Sequence, residues 1–413
     1  MLGYSIVLPF LVFIVNRFGG NEFIYGILGS VYPAFQFFGA PVLGKWSDSI
    51  GRRKILLISQ IGTFVAWLIF LMALFLPTKE LFGMDSAMTG AFTITIPLVF
   101  LFIARALDGL TGGNVSVANA YLSDITPESR RKENFGKMAM SSSLGFIIGP
   151  VLAGLLGATV YEEMLPVLAA IAISGACIFL IYYRLPESKS TPVDPKLEGS
   201  TIQQAFGVDQ KECYKMQNCE DTRLPSVWSI RHVPYMLIIY FLTFFGFSFF
   251  YASFPMYALK YMEWNSLELG IFFSLMSGMM ILVQGPILTR LSKKYSDASL
   301  ILVGSALLAI SFGLFSVTSG PFLYATAAIF ALGNGLMWPS YLAVLSKLGG
   351  DKQQGSVQGT ANSSGSLASI LGLILGGYLF GLVGPDIFLA AATIMVVIFI
   401  ASLRMRKVGA STN

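Results

Sequence analysis

Eleven apolar runs of about 20 residues, preceded by a shorter one at the start, leave this chain few ways to fold. Hydrocarbon about 30 Å thick is crossed by a helix of about that length, because in lipid every backbone N–H and C=O must find its partner inside the segment. The runs fall at 2–15, 24–43, 55–76, 96–122, 135–160, 165–183, 234–259, 267–290, 300–318, 321–345, 355–383 and 387–403. With 55% hydrophobic and 12% charged residues among 413, and a positive mean hydropathy, the polar surface is too small to cover a water-soluble globule of this size. The chain reads as an all-α membrane protein of twelve transmembrane helices. Its first span begins without a basic lead-in and lacks a small-residue cleavage site, which suggests a few residues missing upstream rather than a secretory signal.

Basic residues near span ends stay on the cytoplasmic side. If the chain starts inside, all 27 Lys and Arg residues except Arg17, Lys79, Lys260 and the intramembrane Arg105 fall in inner loops or the tail. Both termini are therefore expected in the cytoplasm, with the cell membrane as the location in a prokaryote. The net charge of +5 reflects this sidedness and is no argument for nucleic-acid binding, since the bases are dispersed over six loops. Cys177 falls in a span, while Cys213 and Cys219 lie in an inner loop at poor metal-ligand spacing, with His232 the single histidine; they read as solvated thiols. Asn114-Val115-Ser116 and Asn362-Ser363-Ser364 fit the glycosylation pattern but lie inside spans, where neither is modified.

A polar stretch over 185–233 separates two six-span bundles, 1–184 and 234–413, and reads as a cytoplasmic linker. The bundles resemble each other. The stretch Gly136–Gly154 can be laid on Gly359–Gly377 without a gap, pairing Gly136, Ser141, Ser143, Leu144, Ile147, Gly149, Leu152 and Gly154 with identical residues. Gly26, Pro41 and Leu43 likewise find counterparts in Gly270, Pro286 and Leu288, and Ala106-Leu107 with Gly109 echoes Ala331-Leu332 with Gly335. Parallel repeats of this kind build many secondary transporters, with the substrate site near the midplane.

Three clusters carry chemistry. After the second run, Gly44 and Gly51 permit a tight turn, and Asp48 stands among Lys45, Arg52, Arg53 and Lys54, four residues before Arg52. Asp124, at the inner end of the fourth span, can compete for the same arginine, so the cluster reads either as a latch between bundles or as an interfacial anchor. Gly145, Gly149, Pro150 and Gly154 let the fifth span approach a neighbour closely, and Pro150 removes one backbone hydrogen bond. A static crossing and a gating role fit these residues equally. Arg105 and Asp108 are ionisable groups deep in a span, on one helix face at i, i+3, and form either a proton switch or a fixed ion pair.

The pattern Gly44-x3-Asp48-x2-Gly51-Arg52-Arg53 resembles the signature loop of the major facilitator superfamily. Gly145-x3-Gly149-Pro150-x2-Ala153-Gly154 resembles the motif of its antiporter branch, with Ala153 where glycine is usual. Arg105-x3-Gly109 resembles the motif associated there with proton coupling, and Arg184-Leu185-Pro186-Glu187-Ser188 is a typical close to the sixth span. The resemblance covers the whole chain and points to tetracycline-resistance pumps and similar drug:proton antiporters. It implies the fold of that superfamily, two bundles related by pseudo-two-fold symmetry, working as a monomer. It also implies that spans one, four, seven and ten line the cavity. Their midplane residues include Asn114, Asn119, Tyr251, Ser253, Asn334 and Trp338, with Gln36, Gln284 and Asn362 on neighbouring spans. This neutral amide, hydroxyl and aromatic lining suits an amphiphilic or planar organic molecule, though each group can equally make a helix-to-helix hydrogen bond. Most of the 34 phenylalanines are expected to face lipid.

The chain carries no G-x4-G-K-S/T loop, no H-E-x-x-H and no G-x-S-x-G, so it reads as a protein without cofactor or enzymatic activity that draws on an ion gradient. The expected partners are a small organic substrate, protons and membrane lipid. The rival readings are a uniporter or symporter of a sugar, peptide or metabolite, and a transporter-shaped receptor or scaffold.

Overall fold

The computed structural model describes residues 2–86, 88–112, 114–126, 131–188, 226–317 and 320–409. Most of the inner linker, with Cys213 and Cys219, lies outside them. In chain order the elements are α1 (Leu2–Arg17), α2 (Glu22–Ile50), α3 (Arg52–Phe75), a hairpin of β1 (Glu80–Ser86) and β2 (Gly90–Thr95), α4 (Ile96–Thr111), α5 (Asn114–Ile125), α6 (Arg131–Gly157) and α7 (Met164–Arg184). They continue with α8 (Val233–Tyr261), α9 (Ser266–Leu291), α10 (Asp297–Phe315), α11 (Phe322–Val383) and α12 (Ile387–Gly409).

Eight helical stretches are long and apolar enough to cross a membrane, and the last, Val357–Arg404, contains parts of two helices joined at Gly384–Asp386. With α1, the α4–α5 pair and α6 they make up the twelve expected spans. Two of those spans share α11, whose backbone stays helical from Phe322 to Val383. It cannot be straight. Tyr240 touches Trp338 and Tyr341 through its ring and Asn362 through its hydroxyl. On a straight helix positions 338 and 362 would lie about 36 Å apart at 1.5 Å per residue. The chain therefore reverses between them.

Local chemistry sets several boundaries. The Asn21 carboxamide oxygen accepts the Ile24 N–H and caps α2, and Ser296 caps α10 by accepting from Ser299. Pro97 opens α4, where its missing N–H costs nothing. Pro286 also lacks an N–H, but inside α9, and there the backbone widens to a π-helical turn over Val283–Ile287. The turn expected of Gly44 and Gly51 together is made by Gly51 alone, at φ 117°, because nothing in 44–50 stops α2 before Ile50. Gly44 sits inside the helix with open space where a Cβ would be.

The chain packs as two compact units. The first comprises Met1–Thr201 with Ala258–Ser274, and the second Ile202–Tyr257 with Leu275–Asn413. Within the first, α2 crosses α4 where a side chain on Gly109 would strike the Tyr32 carbonyl, and α6 crosses α1 where one on Gly149 would strike Ser5. Gln60 of α3 donates to the Ser174 hydroxyl of α7 at 2.7 Å. At the α1 end, Arg17 reaches Glu162 at 3.0 Å and Glu163 at 2.9 Å, and Lys260 pairs with Glu22 at the head of α2.

The second unit is held by a different device. Phe250, Phe254, Phe312, Phe315, Phe330 and Phe388 are fully buried and form a continuous ring cluster, with Phe250 5.1 Å from Phe254 and Phe315 and 5.3 Å from Phe330. The expectation that most phenylalanine faces lipid misses this inward share: buried Phe outnumber exposed ones among the described residues, the others being half-buried. Lipid tails are as apolar as the core, so little water-exclusion energy is gained by turning a ring inward. The gain is close packing and edge-to-face geometry, about 0.5–1.5 kcal/mol per pair.

Candidate functional site

Arg105 and Asp108 lie on α4, between its proline-marked start and its end at Thr111. The Arg105 guanidinium is buried, 3.6 Å from the Asp108 carboxylate and 4.8 Å above the Tyr32 ring of α2. Thr63 of α3 lies near the same carboxylate. The pair opens on a cavity of about 10 Å³ whose other walls are Val7, Ala66, Trp67, Phe70 and Ala104. That volume is the lower limit for one water. Burial makes an unpaired charge here expensive, so Arg105 is stabilised from two sides, by a carboxylate and by the negative face of a ring.

One turn after Asp108 the fourth span breaks. Gly112 leaves the helix, and the next helix starts at Asn114. The carbonyls freed at a break must be satisfied in a membrane. Gln36 donates its amide to the Gly112 carbonyl at 2.9 Å and also to the Tyr32 hydroxyl at 3.2 Å, while Ser59 donates to the Thr111 carbonyl. Ion pair, ring and helix break are thus one connected network. Sequence reading placed Gln36 among cavity residues and overlooked Tyr32, Ser59, Thr63 and Trp67. The available signal was Tyr32 and Gln36 themselves, two polar groups at i, i+4 in an apolar run.

The basic loop resolves into a second network. Arg52 donates from Nε to Asp124 at 3.1 Å, with both side chains buried, and to the Ser47 hydroxyl at 2.5 Å. Ser188 reaches the same Asp124 oxygen at 3.3 Å. Arg53 donates to the carbonyls of Ile181 and Tyr182, and its N–H goes to Glu187 at 3.1 Å. Gly51 turns against that Glu187, where a Cβ would sit 2.6 Å from its oxygen. The described partners all belong to the first unit, tying α2 and α3 to α5 and to the chain leaving α7. The side chain of Asp48 lies outside the described residues. Glu187 and Ser188 were legible as part of a motif, but not as partners.

On α6, Gly145 and Gly149 face α1, the Gly145 carbonyl accepting from the Ser5 hydroxyl at 2.8 Å. Pro150 and Gly154 face α9: a side chain on Gly270 would lie 2.8 Å from the Pro150 carbonyl and from the Gly154 Cα. The motif therefore makes two close crossings along one helix.

The expected lining residues separate. Asn114 and Asn119 are half-buried on α5. In the second unit Trp338 packs 5.3 Å from Tyr240 and Phe244, and the Tyr240 hydroxyl donates to Asn362 at 2.9 Å, so Trp338 and Asn362 meet at one aromatic cluster. Asn334 points its amide at the Met280 sulfur at 3.3 Å. Gln284 is half-buried in the π turn of α9, and Tyr251 is half-buried beside Phe250 at 5.6 Å. Ser253 is fully buried, its hydroxyl without a hydrogen-bond partner among the described residues.

The sequence matches the family described as Major Facilitator Superfamily over residues 1–321 and 236–413. It is 24% identical over 383 residues to tetracycline resistance protein class H of Pasteurella multocida, covering 92% of this chain and 86% of that one. The structure is similar to that of the human organic anion transporter MFSD10, with a TM-score of 0.68 and 19% identity over 97% of this chain and 95% of that one. It is also similar to the nucleoside transporter NupG, with a TM-score of 0.70 and 13% identity over 98% and 96% of the two chains.

Proposed function

Because the chain belongs to the Major Facilitator Superfamily, and is thus a multi-pass membrane transporter of small molecules rather than an enzyme, we propose that it exports a small organic, drug-like compound in exchange for protons. Alternating access of two bundles, 1–184 and 234–413, joined by a cytoplasmic linker at 185–233, accomplishes the exchange. Arg105 and Asp108 couple it to the proton. The loop and its partners, Gly44, Asp48, Gly51, Arg52, Arg53 and Asp124, pace the conformational change, and the chain works as a monomer in the cell membrane with both termini inside.

One observation carries this reading: a carboxylate held by an arginine inside a bundle, beside a cavity near the size of one water. Ionisable groups are kept at such depth where they move charge. When Asp108 takes a proton its charge is lost, and the hold of Arg105 shifts from the carboxylate toward the Tyr32 ring. That change of partner alters the strain on the helix break at Gly112, which the Tyr32–Gln36 contact reaches directly. The aromatic and amide groups at Trp338, Tyr240 and Asn362 suit a planar compound with hydrogen-bonding substituents, in keeping with relatives named for tetracycline resistance.

The test is transport into proteoliposomes under an imposed pH gradient, with a panel of planar and amphiphilic compounds. Antiport moves the compound against the proton flow, and movement in the same direction would make the protein a symporter. Asp108→Asn should abolish gradient-driven flux while the protein still inserts and folds. Unchanged pH dependence in that variant would remove the residue from the mechanism.

A further inference from the structure

We propose that the β1–β2 hairpin is a lipid-contacting wing, its apolar face resting in the headgroup region of the leaflet opposite the basic loops. Antiparallel pairing sets Met84 opposite Phe92 and Phe82 opposite Ile94, and side chains opposite each other share a face. One face is therefore Phe82, Met84, Phe92 and Ile94, with Ser86 and Gly90 toward the tip, and exposed Leu81 falls in the irregularity before Phe82. The other carries Gly83, Asp85, Ala91 and Thr93. On the apolar face Phe82 is 54% exposed and Met84 43%, and at the tip Met88 is 66% exposed.

Two features place this face at the membrane boundary. The connections are short: four residues separate Phe75 from Glu80, and none separates Thr95 from Ile96. At about 3.3 Å per residue the base of the hairpin stays within about 13 Å of the helix ends. The hairpin is also bound along its length to the α1–α2 turn. Thr93 donates its N–H to the Gly19 carbonyl at 2.8 Å, Thr95 its hydroxyl to Phe18 at 2.9 Å, and Asn21 its amide to Thr89 at 2.6 Å, close to the tip. It lies across the ends of α1 and α2 rather than standing in water.

The occupant follows from continuity. Ile58, Ile61, Val65, Leu68, Met72 and Phe75 are exposed at three- and four-residue steps along α3, the stripe of a helix facing lipid. That stripe ends at Phe75, and the exposed apolar side chains resume on β1. Phe92, on the same hairpin face, meets Phe23 in the first turn of α2 at 6.5 Å. The lipid surface of the bundle thus runs onto the hairpin. Through Asn21, which both caps α2 and holds the hairpin, lipid contact fixes the ends of the first two spans.

The experiment uses full-length protein with Cys177→Ala, Cys213→Ser and Cys219→Ser, reconstituted in phosphatidylcholine–phosphatidylglycerol vesicles. An environment-sensitive fluorophore is attached at Phe82→Cys, Met84→Cys or, on the opposite face, Asp85→Cys. The two apolar-face sites should be quenched several-fold more by lipids carrying a nitroxide near the glycerol than by aqueous iodide, and the Asp85 site the reverse. Equal iodide quenching at all three sites would put the hairpin in water and overturn the proposal. Shielding of sites 82 and 84 from both quenchers would show a protein cover, such as a second copy paired along β1, and would overturn it equally. None of these readings depends on what the protein transports.

Discussion

Tyr32 is where three separate demands on the first unit meet: its ring holds Arg105, its hydroxyl accepts from Gln36, and its carbonyl lies against Gly109. A desolvated cation–π contact is worth about 2 kcal/mol, against about 3–5 kcal/mol for breaking a buried ion pair, so the ring is the lesser partner until the carboxylate is neutral. Tyr32→Phe keeps the ring and should retain most proton-driven flux. Tyr32→Leu removes it and should cost 10-fold or more, with the pH profile displaced, as measured in proteoliposomes. Equal activity of the two variants would mean the ring is only packing. Around Arg52 the logic is structural: Asp124→Asn removes the carboxylate that the buried Arg52 Nε donates to, and should lower stability by about 3 kcal/mol in a detergent melt. A melt unchanged by that replacement would show the pair to be idle.

At the scale of elements, one contact occurs twice. Gly149 of α6 meets Ser5 of α1, and its counterpart Gly372 of α11 meets Ser248 of α8, where a Cβ would sit 2.6 Å from the serine. Gly109 against Tyr32 and Phe35 recurs likewise as Gly335 against Val283. The alignment of Gly136–Gly154 with Gly359–Gly377 therefore reports shared geometry, which chance matches in Gly- and Ser-rich sequence would not produce. Gly149→Leu should separate α6 from α1 and abolish transport. The milder Gly149→Ala should be partly rescued by Ser5→Gly, and failure of that rescue, read as flux and melting temperature, would mean the serine is not the obstacle.

The twelve spans were legible because lipid demands about 20 apolar residues of each, and the close crossings because only small residues permit them. Three things were hidden. The fate of phenylalanine cannot be read from hydrophobicity when core and solvent are both apolar. The strands Glu80–Ser86 and Gly90–Thr95 are short and mix Gly, Asp and Ser with their apolar positions, so alternation was too brief to stand out. The break at Gly112 depends on Gln36 and Ser59 from other helices, which no local pattern announces.

For the molecule as a whole, the partition of contacts departs from the order of the chain. Ala258–Ser274 follows the linker in sequence yet packs with the first unit, through Lys260 on Glu22 and Gly270 on Gly154. A chain cut inside the linker and expressed as two pieces should accordingly co-purify. Lys260→Ala with Gly270→Leu should weaken that association at least 10-fold in pull-down, and pieces that never associate would contradict the packing.

The two units have also parted in character. Arginine, aspartate and their amide and hydroxyl supports gather in the first, and a wall of stacked rings fills the second. A gene duplication that begins with identical twins can thus end in a division of labour. If, as proposed, the ion is handled by one sibling, the other is free to remodel itself for new cargo, and changes in the compounds carried should follow the carboxy-terminal half while the energy source stays put.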